Sequence, residues 1–184
     1  MTLSTSSIPV TWDKEYNQFN WQETYMIDEV PADDVWDTFA TRNKLKLEDL
    51  YRRLNMPKDT GKHYMCLDAT LSNGLTSVLD NFVDKIYHYN FLKLTPGYNL
   101  WWHYDSYPTF VRYNNIAEQD AHKINRTIVM LNDWAPGQIF QANDEVAIKW
   151  TAGTTYTWPY DTWHGVANFG FNNVVVMQIT WIDK

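Results

Sequence analysis

The chain has 184 residues, of which 45% are hydrophobic, 16% aromatic and 20% charged, with a formal net charge of −7. That length fits one domain with a substantial core, and the negative charge argues against non-specific phosphate-backbone binding as the main activity. Cys66 is the only cysteine, which excludes an intrachain disulfide framework; with no long apolar run and no leader-like N-terminus, a cytoplasmic protein without a membrane partner is expected.

Residues 1–86 read as a mostly helical scaffold. Pro31-Ala32-Asp33-Asp34 opens a helix by setting acidic groups at the positive end of its dipole. Val35, Trp36, Phe39 and Ala40 follow at helical spacing, and Leu47, Leu50, Tyr51 and Leu54 continue the pattern until Pro57. Arg42, Lys44, Lys46, Arg52 and Arg53 are interrupted by Glu48 and Asp49, which fits a solvated helix face better than a nucleic-acid site. A second helix is predicted from Ser72 to about Ile86, with Leu75, Val78, Leu79, Phe82, Val83 and Ile86 on one stripe.

From residue 87 the pattern changes to short strands. They are predicted at Tyr87 to Leu94, Tyr98 to Asp105, Arg126 to Leu131, Gln138 to Gln141, Val146 to Trp150, Thr154 to Trp158, Trp163 to Ala167 and Val174 to Trp181. Gly97, Gly137, Gly153 and Gly170 punctuate them as turn positions. Residues 106–123 lack periodicity and read as a long polar loop, a candidate pocket lid. Eight short strands at this spacing, rich in aromatic rings, predict a mainly β sandwich or jelly roll with flanking helices. One domain therefore covers 1–184, with 87–184 as its β core.

His103 and Asp105 stand at i and i+2, on one face of a strand. His164, from a distant strand, can complete a set of two imidazoles and one carboxylate on one side of a metal. Such a set leaves other positions open and suits non-heme Fe(II) and oxygen chemistry. His63, His88 and His122 have no matching partner pattern and read as surface or helix-flanking residues.

The run Phe91-Leu92-Lys93-Leu94-Thr95-Pro96-Gly97, followed by His103-Tyr104-Asp105, resembles the 2-oxoglutarate and Fe(II)-dependent oxygenases. The likeness continues through Arg126 to Trp134, Trp150 to Trp158 and Trp163-His164-Gly165-Val166. It covers roughly residues 87–181 and is similar to the compact, prolyl-hydroxylase-like members often encoded by phages. The resemblance implies a double-stranded β-helix, a cupin-like jelly roll, whose mouth holds Fe(II) on His103, Asp105 and His164. Two further positions would take a bidentate 2-oxo acid and one dioxygen, for hydroxylation of an unactivated C–H bond. The substrate would be a small molecule or a protein of unknown identity.

A 2-oxoglutarate bound there would bring a second carboxylate into the roll, and a buried carboxylate needs a cation, best a guanidinium. Arg126 opens the apolar strand Thr127 to Leu131, and alternation puts it on the pocket side with Ile128 and Met130. Many relatives instead carry a basic residue on the last strand. Asn172-Asn173-Val174-Val175 has neither Arg nor Lys there, so either Arg126 is the anchor, aided by Asn173 as an amide donor, or this chain has lost 2-oxoglutarate binding. Trp101, Tyr107 and Trp181 are candidate pocket walls, although core packing explains each as well. Trp163 is expected to point away from the site, and Gln178 to satisfy an interior hydrogen bond. The absent late-strand cation keeps two alternatives open: a cupin-like metal-binding protein without 2-oxoglutarate chemistry, and a non-catalytic jelly roll that binds a ligand through its aromatic rings.

Overall fold

The computed structural model of the protein describes residues 3–24, 52–53 and 59–184. The helix predicted from Pro31 to Leu54 falls outside the described residues, except for the helical and exposed Arg52 and Arg53.

The alternating sequence after residue 87 forms strands because alternation gives each strand one face for each of two cores. Three strands come first in the chain: β1 (Ser4–Ser7), β2 (Gln22–Thr24) and β3 (His63–Cys66). Helix α1 (Asn73–Leu79) leads through a short 3-10 turn to β4 (Lys85–Leu94) and β5 (Asn99–His103). Helix α2 (Pro108–Tyr113) precedes β6 (Asn125–Met130), β7 (Gln138–Ala142), β8 (Glu145–Ala147), β9 (Thr154–Pro159), β10 (His164–Asn168) and β11 (Val174–Asp183).

These strands make a seven-stranded sheet in the order β1-β9-β6-β11-β4-β3-β2 and a four-stranded sheet in the order β5-β10-β7-β8. From β4 to β11 the chain changes sheet at every step except the β7–β8 hairpin. All pairings are antiparallel. That winding is a double-stranded β-helix, or jelly roll, as the sequence predicted. Among the described residues no helix is long and apolar enough to cross a membrane.

Alternation sorts the side chains into two cores. Leu92 and Leu94, Ile128 and Met130, and Val174 and Val176 point inward, where they meet Phe140, Ala142 and Val166 of the smaller sheet. Phe91, Val129, Val175, Met177 and Ile179 point outward and are covered by Leu75, Val78 and Leu79 of α1, with Trp12 and Tyr16. Helix α1 is short but capped, because the Ser72 side chain accepts from the Leu75 backbone N–H.

Several boundaries differ from expectation for physical reasons. The segment before residue 87 supplies three strands to the large sheet, so its described part is not mainly helical. Strand β1 is Ser-Thr-Ser-Ser and fully exposed, an edge strand held by backbone pairing to β9 with no apolar signal to betray it. The helix predicted to run to Ile86 stops at Leu79, because Lys85 and Ile86 pair with Asp183 and Ile182 on β11. The stretch 106–123 is not a plain loop; it contains α2 and a 3-10 helix at Glu118–Lys123. Gly97 adopts φ 83°, as its turn requires, whereas Gly170 is needed for closeness: a Cβ there would lie 2.4 Å from the Pro136 carbonyl oxygen.

Candidate metal centre

The roll brings His103, Asp105 and His164 together at one end. His103 is the last residue of β5 and His164 the first of β10, and the two are direct partners in the antiparallel register. Asp105 lies two residues beyond the strand rather than within it, so the chain has already left the sheet when it delivers the carboxylate. One ligand atom from each residue lies within 4.8 Å of the others. The imidazole Nε2 of His103 is 3.8 Å from Oδ1 of Asp105, and that of His164 is 3.8 Å from Oδ2. Octahedral cis ligands of a first-row ion sit about 3 Å apart, so modest side-chain movement would close the set.

The hydrogen bonds fix which nitrogen is available. Nδ1 of His103 is 2.6 Å from the Trp101 carbonyl oxygen, and Nδ1 of His164 is 2.9 Å from that of Thr162. A carbonyl oxygen only accepts, so each Nδ1 carries the proton and donates it, leaving a lone pair on each Nε2. Burial lowers the His164 pKa to about 4, outweighing the opposing pull of Asp105, so this ring is neutral at neutral pH. Trp158 packs against the His164 imidazole in a tilted contact, 4.9 Å between ring centroids.

Asp105 is kept anionic by its surroundings. Burial alone would raise its pKa, but the Arg126 guanidinium, by its charge and its hydrogen bonds, holds it below the ordinary carboxylate range. Arg126 donates to Oδ2 through Nε at 3.3 Å and a terminal nitrogen at 3.1 Å, and the Tyr107 hydroxyl donates to the same oxygen at 3.1 Å. The guanidinium carbon also lies 4.9 Å over the Tyr107 ring centroid. Burial, reinforced by the Asp105 charge, pushes the phenol pKa up, so Tyr107 stays a protonated donor. Two imidazoles that donate through Nδ1 and turn Nε2 toward one carboxylate form a donor set that can hold a divalent metal ion.

The other candidates scatter. Arg126 does face inward beside Ile128 and Met130, but its fork is turned to Asp105. Asn173 does not join Arg126: it precedes β11 at the far end of the roll, where its carbonyl accepts from Asn132 at 2.9 Å and Gln138 at 3.3 Å. Seven residues separate it from Thr180, the register partner of Arg126, which is roughly 23 Å of strand. Trp181 belongs to the outer face, where its indole N–H donates to Thr127 and the Lys85 ammonium lies over its ring. Tyr107 is buried against Phe110, Ile124 and Ile182 and supports Asp105 rather than forming an open wall. Trp101 keeps 70% of its surface exposed, and the half-exposed Trp163 packs edge-on against Tyr104. Gln178 follows the inward alternation of Val174 and Val176. His63 is buried rather than superficial, stacked on Tyr98.

Sequence reasoning missed the roles of Tyr107 and Trp158 and the destination of Arg126. A usable signal existed for the last. A charge at the start of an apolar strand needs a partner, and Asp105 was already expected in the same mouth.

No protein-family model matches the sequence, and no curated protein matches it. Among solved structures, the chain is similar to a protein described as a predicted oxalate decarboxylase from Thermotoga maritima, at 12% identity and TM-score 0.41, covering 66% of this chain and 82% of that one. It is also similar to an RmlC-like cupin from Shewanella frigidimarina, at 9% identity and TM-score 0.40, covering 67% and 79%. A cupin domain from Bordetella pertussis matches at 16% identity and TM-score 0.36, covering 54% and 84%. The chemistry of the site therefore rests on its own residues.

Proposed function

We propose that the protein is an Fe(II)- and 2-oxoglutarate-dependent oxygenase that hydroxylates an unactivated C–H bond, with His103, Asp105 and His164 as the iron ligands. The observation that carries this reading is the pair of Nδ1–H donations to Trp101 and Thr162, which leaves two Nε2 lone pairs beside an anionic carboxylate. Three protein ligands leave half of an octahedral ion open. Iron with 2-oxoglutarate would supply oxidising power, through oxidative decarboxylation of the 2-oxo acid, for inserting one oxygen atom of O2 into the substrate.

The chain's own residues would do the rest. Asp105 and the two imidazoles bind and orient the ion, and Trp158 excludes water from one side of His164. Arg126 is the cation on the inner face suited to the distal carboxylate of the 2-oxo acid. A guanidinium has five N–H donors, and Asp105 engages only Nε and one terminal nitrogen, so donors remain for a second carboxylate.

A second reading, a cupin-like metal-binding protein without 2-oxoglutarate chemistry, is favoured by the turn of the Arg126 fork toward Asp105 and by the distance of Asn173 from the site. One experiment separates the two. Purified protein is titrated anaerobically with Fe(II) and 2-oxoglutarate, then exposed to oxygen while succinate is measured. Succinate formed only with all three components supports the oxygenase. Iron uptake with no affinity for 2-oxoglutarate supports the second reading, and no metal uptake defeats both.

A further inference from the structure

We propose that Arg126 and Tyr107 are positioning residues that hold Oδ2 of Asp105, so that Oδ1 alone is offered to the metal; this rests on the metal-centre reading above. Oδ2 receives three donors, from Nε and a terminal nitrogen of Arg126 and from the hydroxyl of Tyr107. Among the described residues Oδ1 accepts no hydrogen bond and lies 3.8 Å from the His103 imidazole, whereas Oδ2, although 3.8 Å from the His164 imidazole, is already taken by those three donors. A carboxylate oxygen that accepts three hydrogen bonds, two from a cation, has little electron density left to share with a second cation. Asp105 would therefore hold an ion chiefly through Oδ1, with Oδ2 kept by Arg126 and Tyr107.

The local backbone is shaped around this contact. Tyr107 adopts φ 50°, a left-handed conformation costly for a bulky residue, immediately before Pro108. That turn puts the phenol ring under the guanidinium and against Phe110, Ile124 and Ile182. The Arg126 side chain is only 11% exposed, and the ion pair with Asp105 is its salt bridge among the described residues. Both polar groups are thus satisfied by the same oxygen, and the carboxylate orientation is set before any ion arrives. Neither side chain needs to touch the metal or a substrate for this role.

The test is anaerobic Mn(II) titration by calorimetry and Co(II) absorption spectroscopy on the full chain and on Tyr107→Phe and Arg126→Lys. Melting temperatures without metal serve as the structural control. Tyr107→Phe should weaken Mn(II) binding about tenfold, the lower end of what loss of outer support costs a metal site. Arg126→Lys keeps the charge but loses the fork, so it should weaken binding at least as much and alter the Co(II) spectrum as the freed second oxygen joins the ion. Wild-type affinity and an unchanged Co(II) spectrum in both folded variants would overturn the positioning role while leaving the metal centre intact. Failure of the unmutated chain to bind Mn(II) or Co(II) would sink the metal centre and this role together. If Arg126→Lys does not fold, Tyr107→Phe decides alone.

Discussion

His103 and His164 face each other as register partners across β5 and β10, and each donates its Nδ1 proton to the carbonyl two residues before it in the chain. The same local device on two adjacent strands sets both rings in one tautomer. Their centroids are 4.3 Å apart, and one nitrogen of each ring lies within 4.8 Å of the other and of an Asp105 carboxylate oxygen.

Replacing either histidine by alanine should therefore abolish tight metal binding without unfolding the roll. Loss of outer support alone costs about 10–100-fold, so removing a direct ligand should cost at least about a hundredfold in Mn(II) affinity. Calorimetry measures the affinity and far-ultraviolet circular dichroism checks the fold. Retained micromolar binding in both variants would remove these residues from the centre.

Asp105→Asn should lower stability as well as metal affinity, because it leaves the Arg126 guanidinium largely buried and without its anion. With Asp105 at 24% exposure the cost is partly relieved by water, and about 2 kcal/mol is expected. Urea denaturation without metal measures it. A change under about 0.5 kcal/mol would mean the pair is an incidental surface contact.

Metal-free stability should fall between about pH 6.5 and pH 4. His63 is buried, and desolvation lowers its pKa from 6.5 to about 4. Below 6.5 the unfolded chain takes up a proton that the native state refuses, so stability is lost as pH falls toward the folded-state pKa. The full effect is about 3 kcal/mol as an upper bound. His164 acts with the same sign and is common to both proteins, so the difference between wild type and His63→Gln isolates His63. Equal pH dependence of the two in urea denaturation would refute the assignment.

Gly74→Ala tests how the outer core is closed. In a free helix the change is worth about 1 kcal/mol of added stability. Here the new Cβ would lie 2.3 Å from the Thr11 carbonyl oxygen and 2.9 Å from the Trp12 nitrogen, both backbone atoms. Overpacking against main chain should win, for a net loss of about 2 kcal/mol in thermal denaturation. A raised melting temperature would show that the Thr11–Trp12 segment yields easily.

The strands from Tyr87 onward were legible because their period-two alternation is a local property, and so was the spacing of His103 and Asp105. Strand β1 was not, since its four small polar residues gain from pairing with β9 and bury no apolar face. The end of α1 was misjudged for a related reason: Phe82, Val83 and Ile86 continue a helical stripe, but sheet hydrogen bonds from Lys85 onward outweigh it.

The amino-acid order by itself determined the jelly-roll pattern, the turn at Pro96-Gly97 and which three side chains form the candidate metal centre. Tertiary structure alone decided that Arg126 turns its fork to Asp105, that Tyr107 joins it there, and that Asn173 ends at the other end of the roll. Alternation and turns are set by neighbours a few residues apart. The partner of a buried charge is set by which distant strands the closed sheets bring alongside it, and no local pattern encodes that.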